Sequence, residues 1–232
     1  MGFLTKLKIF SKSTKLFKNW YVYPLVYFKL TKKEHVIFET KTGLKIKIRV
    51  NSTDLMALTH VWMIQEYSNH DFDINDNDIV IDVGAHIGLF ALFASQFCKL
   101  GKIFCFEPIK ENYELLVENI NSNKIKNIIP FNFAVSKVSD SVKIFLNNDY
   151  SGHSMFLETN NFVIVKSKSL PDIFSENNIR ECNFLKLDCE GAEYEIINSL
   201  SPEFLSKIKK SAIEYHLADT HPELLQQLIK KL

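Results

Sequence analysis

Two acids and two glycines set the first chemical expectation. The run Ile79-Val-Ile-Asp-Val-Gly-Ala-His-Ile-Gly-Leu-Phe-Ala is an apolar strand that ends at Asp82-Val83 and enters a helix through Gly84 and Gly88. At the carboxyl end of a parallel strand, a glycine lets the backbone turn sharply and lets a ligand touch it. The spacing is G-x-x-x-G and lacks the middle glycine of G-x-G-x-x-G, which brings a pyrophosphate close to the helix. A phosphate-poor adenosine ligand therefore fits better than a nicotinamide dinucleotide. A second apolar run, Lys102-Ile-Phe-Cys-Phe, ends in Glu107-Pro108, with Glu107 25 positions after Asp82. A carboxylate there is placed to accept hydrogen bonds from both hydroxyls of a ribose.

A third group, Asp188, Glu190, Glu193, Glu214 and His216, falls at the ends of two later apolar runs, where open α/β sheets place ligands. Glu214 and His216 alternate, which puts both on one strand face. For an alcohol nucleophile the expected base is Asp188 or His216. Histidine has the pKa for neutral operation, while a buried carboxylate would need its pKa raised. Glu190 and Glu214 would orient that base or hold acceptor hydroxyls. Glu193 reads as a helix-start charge, favoured by the backbone dipole. Oxygen and imidazole donors would suit magnesium, but the spacing matches no ligand motif, so no metal is expected. His86 and His153 are weaker base candidates, and residues 149–156, with Gly152, His153 and Ser154, read as a loop over the acceptor.

To position these groups the chain must alternate strands and helices. The pattern predicts a hairpin at 36–39 and 45–50, a helix over 54–67, strands at 79–83 and 102–106, and helices from about 89 to 99 and 110 to 121. Further strands are expected at 128–135, 142–146, 163–167, 184–187 and 212–215, with helices at 192–200 and 222–232. Such alternation implies an α/β fold with a doubly wound, mostly parallel sheet. From about residue 34 to 232 the chain should fold as one domain.

Residues 1–33 differ from the rest, with eight lysines and no acid before Glu34, and with Phe3, Leu7, Phe10 and Phe17 at roughly helical spacing. This is a basic amphipathic extension. A helix packed on the domain is the commoner outcome; peripheral contact with anionic lipid, using the aromatics around Pro24, is the alternative. The longest early uncharged run has ten residues, against roughly 20 for a membrane span. Lysines break up any secretory signal.

Among 232 residues, 28 basic and 27 acidic side chains nearly cancel, and the only arginines are Arg49 and Arg180. Nucleic acid is therefore not an expected partner. Cys98, Cys105, Cys182 and Cys189 form no C-x-x-C pair, which reads as free thiols in the cytoplasm. Oligomeric state is not legible.

These pieces together resemble the FkbM family of class I, S-adenosylmethionine-dependent methyltransferases. Asp82-Val-Gly-Ala-His-Ile-Gly is similar to its first glycine motif, and Phe106-Glu107-Pro108 with Asn112-Tyr-Glu-Leu-Leu to its second. Asn132-Phe-Ala-Val, Leu187-Asp-Cys-Glu-Gly-Ala-Glu and Glu214-Tyr-His are similar to three later segments, so the likeness spans about 65–222. The resemblance implies a Rossmann-like seven-stranded fold and S-adenosylmethionine as donor. The acceptor it implies is a hydroxyl on a glycan, lipid-linked sugar or natural product. It implies Asp82, Gly84 and Gly88 at the methionine end, Glu107 at the ribose and Ala134 near the adenine. Glu66, His86 and Pro108 complete the expected cofactor set. The chain stops at Leu232 in a helix, where this fold normally adds two more strands, and a non-catalytic adenosine-binding module at a membrane is the alternative function.

Overall fold

The computed structural model describes residues 3–67, 73–146, 161–216 and 221–232. In chain order the elements are α1 (Phe3–Leu16), α2 (Val22–Tyr27), β1 (His35–Glu39), β2 (Lys45–Arg49) and α3 (Asp54–Leu58), which widens into a π turn at Thr59–Ile64. There follow β3 (Ile79–Val83), α4 (Leu89–Ala94), β4 (Lys102–Phe106), α5 (Lys110–Ser122), β5 (Ile128–Phe131), β6 (Ala134–Val135), β7 (Asp140–Phe145) and β8 (Phe162–Lys168). The last are α6 (Leu170–Glu176), β9 (Phe184–Leu187), α7 (Glu193–Ser199), α8 (Pro202–Leu205), β10 (Ser211–Ile213) and α9 (Pro222–Lys231).

Five strands form a parallel sheet in the order β10-β9-β3-β4-β5, so the expected α/β architecture holds. The chain runs outward from β3 through β4 to β5, then crosses to β9 and β10 on the other side. The carboxyl ends of β3, β4 and β9 therefore flank the crevice where such sheets bind ligands. Both sheet faces are covered. Val80, Ile103 and Phe184 join one apolar cluster with α4 and the N-terminal segment, while Ile81, Phe104 and Leu185 join a second with α6 and α7. This two-residue alternation between two buried faces explains the nearly continuous apolar runs.

The strand expected at 128–135 is in fact two. β5 pairs with β4 as far as Phe131, and β6 pairs instead with Ser167 and Lys168 of β8. Between them the Asn132 side chain donates to the carbonyls of Glu107 and Pro108, which turns the chain. The helix expected over 54–67 is also shorter. Its last turn is a π turn closed by the Gln65 N–H on the His60 carbonyl, and Gln65 takes φ +60°. Tyr67 is thereby released from the helix toward the sheet. The regular part of α4 ends at Ala94 rather than near Lys99, with bonds tightening to the three-residue spacing at Gln96 and Phe97.

The N-terminal segment packs on the domain. Ile9, Phe17 and Tyr23 are buried with Phe38 and Trp62. Tyr23 Oη lies 2.7 Å from Thr59 Oγ1, and the Lys12 ammonium donates to the Met63 carbonyl. The four cysteines are free thiols, and no helix among the described residues is long and apolar enough to cross a membrane.

Candidate active site

The floor of the crevice is built on a residue that the motif reading passed over. Lys186 sits inside the apolar strand β9 with 3% of its surface exposed. Its Nζ lies 3.1 Å from Asp82 Oδ1 and 3.4 Å from Asp188 Oδ2, and it donates to the Gly84 carbonyl at 3.1 Å. Burial opposes its charge, but Asp82 and Asp188 outweigh burial and hold the ammonium above its ordinary pKa. A cation in a strand buried on both faces requires an acid on a neighbouring strand; that was the available signal. Asp82, expected at the methionine end, is fully buried and serves as this lysine's counter-ion beneath the loop.

Above the floor, the glycine loop turns where only glycine fits. Gly84 has φ +73°, and a Cβ there would sit 1.7 Å from the Asp188 carbonyl oxygen. The missing side chain lets the ends of β3 and β9 close together, with the Asp188 N–H donating to the Val83 carbonyl. Gly88, at φ +84°, supports the start of α4 against Leu116.

The acid ending β4 faces the cleft. Glu107 is 4% exposed; its two oxygens accept from the backbone N–H groups of His86 and Ile109, at 2.8 and 2.9 Å. Burial pushes its pKa up to about 7 against those hydrogen bonds. A carboxylate has roughly four acceptor positions, so capacity remains for a ligand's hydroxyls. His86, in the left-handed conformation at φ +52°, has its pKa lowered to about 4 by burial. Its neutral Nε2 lies 3.0 Å from Arg49 Nη2, which donates to it, and Arg49 is clamped by Asp54 through bonds of 2.8 and 2.9 Å. The β1–β2 hairpin thus props the glycine loop, a link absent from the sequence reading because Arg49 lies outside every motif.

The third group assembles as expected and adds Tyr67. The Tyr67 hydroxyl lies 2.8 Å from Glu214 Oε2 and 3.2 Å from Asp188 Oδ2, and burial raises its pKa out of reach. Glu193, fully buried, accepts from the backbone N–H groups of Cys189 and Gly191 at 2.8 Å each. It therefore shapes the loop before α7. It also receives His216 Nδ1 at 3.1 Å, while His216 Nε2 points toward Glu190 and Glu214 at 3.6 and 3.8 Å. Burial works against the imidazolium, yet Glu193, Glu190 and Asp188 win and raise its pKa to about 9. His216 is thus a cation at neutral pH. Glu190 is raised to about 7, chiefly by burial, and Glu214 is raised for the same reason.

Glu107, Pro108, Ala134, Asp188, Glu190 and Glu214 line one open cleft of about 1270 Å³, its mouth included. Glu66, Gly84 and His86 also line it, with Glu66 held 2.9 Å from His60. Asp82 and Gly88 lie beneath it. The residues fit an adenosine-type ligand: an apolar wall at Ile109, Ala134 and Val135 adjoins the Glu107 carboxylate. Asp188, Glu214 and His216 bring one ligand atom each within 4.8 Å of one another, but His216 would have to lose its proton before binding a metal. The loop expected at 149–156, with His153, lies outside the described residues.

Residues 82–232 match the family model of the methyltransferase FkbM domain. The chain is similar to the hexuronic acid methyltransferase AglP of Haloferax volcanii, at 22% identity over 184 residues, covering 76% of this chain and 74% of that protein. It is also similar to the methyltransferase sdnD of Sordaria araneosa, at 23% identity over 184 residues, covering 64% and 71%. Among solved structures it resembles precorrin-6y C5,15-methyltransferase of Geobacter metallireducens, at 12% identity and a TM-score of 0.45, covering 78% and 72%.

Proposed function

This chain belongs to the FkbM methyltransferase family, whose donor is S-adenosylmethionine, and we propose that it methylates a hydroxyl oxygen of a glycan, lipid-linked sugar or natural product. The observation that supports this most is that Glu107 and the group formed by Asp188, Glu190 and Glu214 face the same cleft. The donor supplies an electrophilic methyl on sulfur, and in-line displacement needs chiefly that both reactants be held in position.

In this reading Glu107 takes the ribose hydroxyls, Ala134 and Val135 flank the adenine, and the backbone at Gly84 and Ala85 approaches the methionine end. Asp188 is the base that receives the acceptor's proton. Lys186 and Tyr67, at 3.4 and 3.2 Å, fix its carboxylate, so the group is preorganised. His216, held protonated by Glu193, positions Glu190 and Glu214 for the acceptor's other hydroxyls. This assigns the base role to the carboxylate and a positioning role to the histidine. The free thiols support a reducing, cytoplasmic setting.

The test is incubation of the protein and its Asp188→Asn variant with methyl-labelled donor and hydroxyl-bearing glycan or lipid extracts, with the product located by NMR. A methyl ether, lost in the variant, is expected, and a methyl ester would overturn the hydroxyl acceptor. A methyl on carbon or nitrogen would overturn the oxygen assignment, and full activity of Asp188→Asn would overturn the base.

A further inference from the structure

We infer that the surface formed by α1, α2 and the chain up to Lys33 docks on an anionic lipid bilayer. Burial divides this segment into two sides. Ile9, Phe17, Tyr23 and Val26 face the domain core, while Trp20, Tyr21, Leu25, Tyr27, Phe28 and Leu30 are 38–69% exposed. Half-buried Phe10 ties two of these rings to the segment: it lies 5.6 Å from Tyr27 edge-on and stacks on Phe28 at 6.0 Å. Soluble domains rarely leave so many large apolar side chains together in water.

The charge around this patch identifies the occupant. No acid precedes Glu34, whereas eight lysines do. Lys8, Lys12, Lys15, Lys29, Lys32 and Lys33 are exposed, and Lys6 Nζ lies 5.9 Å from the Tyr27 ring centroid. Basic and aromatic groups therefore adjoin. Tryptophan and tyrosine favour the level of lipid headgroups, and lysine stems extend along apolar surface while their ammonium reaches anionic heads. A nucleic-acid partner would favour planar arginine forks, and this segment contains none.

Docking here bears on the cleft. The segment contacts the π turn through Tyr23 on Thr59 and Lys12 on Met63, and the neighbouring residues Met56, Ala57, His60 and Val61 wall the cleft. A bilayer on this face would lie against the element that forms the cleft wall, which suits an acceptor carried on a lipid. That last step rests on the proposed methyl transfer; the docking itself does not.

The experiment uses the full chain with phosphatidylcholine vesicles, with and without phosphatidylglycerol. Trp20 is 46% exposed and Trp62 2%, so Trp20 reports contact. Co-sedimentation with the anionic vesicles only, a blue shift of emission that disappears in Trp20→Phe, and weakening by salt are expected. Replacing Lys8, Lys15, Lys32 and Lys33 by glutamine should lower partitioning about fivefold per lysine, with donor binding by calorimetry unchanged. Equal binding to neutral vesicles, no binding to either, an unshifted Trp20 emission, or equally tight binding to oligonucleotides would overturn the inference. Vesicle binding without donor binding would sink the methyltransferase reading and leave docking intact.

Discussion

Replacing Lys186 by methionine tests the floor of the site. The substitution removes the ammonium 3.1 Å from Asp82 and leaves that carboxylate fully buried without a counter-ion. Breaking a buried pair from one side costs about 3–5 kcal/mol. With an m-value of about 2 kcal/mol/M, the urea midpoint should fall by roughly 1.5–2.5 M. Asp188 contributes little to this penalty because its side chain is 26% exposed and water takes over its solvation. The double variant Asp82→Asn with Lys186→Met removes both charges and should recover about 2–4 kcal/mol of the loss, since neutral replacement of a buried pair is often tolerated. The penalty of Lys186→Met alone should shrink as pH falls, because burial raises the Asp82 pKa and the protonated carboxyl needs no counter-ion. Urea unfolding of the four members of the cycle, followed by circular dichroism, gives the coupling energy directly. Additive effects within about 0.5 kcal/mol would refute the claim that Lys186 is held by Asp82.

Gly84→Ala would set a Cβ 1.7 Å from the Asp188 carbonyl oxygen, so a loss above about 3 kcal/mol is expected, whereas Gly43→Ala, with nothing within 4 Å at φ +95°, should cost only about 1–2 kcal/mol; thermal melts of both decide. His216 should titrate near 9 by NMR, and Glu193→Gln should move it down toward the ordinary histidine range. Because the folded pKa is raised, the stability this ring contributes is full below about 6.5 and is lost as pH rises through about 9. A wild-type midpoint near 6.5 would contradict the ion-pair geometry.

The motifs made legible whatever depends on neighbours in sequence. Strand β3, its glycine loop and the acid after β4 follow from an apolar run, two glycines and Glu107, all local. The split of β5 from β6 was not legible, because both halves are apolar and only Asn132, bonded to Glu107 and Pro108 across the sheet, divides them. Helices α6 and α8 went unread although each opens on a capping serine, Ser169 and Ser201, followed by proline within the first turn. At the site, Asp188, Glu190, Glu214 and His216 were found from strand ends. Tyr67, Arg49 and Lys186 were not, since their roles arise from partners far away in the chain. The role of His216 also depended on packing: only the surrounding carboxylates turn an ordinary titrating histidine into a fixed cation.

If Glu107 anchors an adenosine-type donor site, calorimetric titration with S-adenosylmethionine reads it out. Micromolar binding is predicted for the wild type, with a loss of about 1–3 kcal/mol in Glu107→Gln, roughly 5- to 150-fold. The stability associated with protonated Glu107 is greatest below its unfolded pKa and is lost as pH rises through about 7. In the proposed site, ribose hydroxyls donate to the ionised form, so donor affinity should rise with pH through that range more steeply in the wild type than in Glu107→Gln, where only Glu190 of the cleft still titrates near 7. Folded protein that binds no donor, or a Glu107→Gln variant that binds as tightly as wild type at every pH, would rule out a donor site at Glu107.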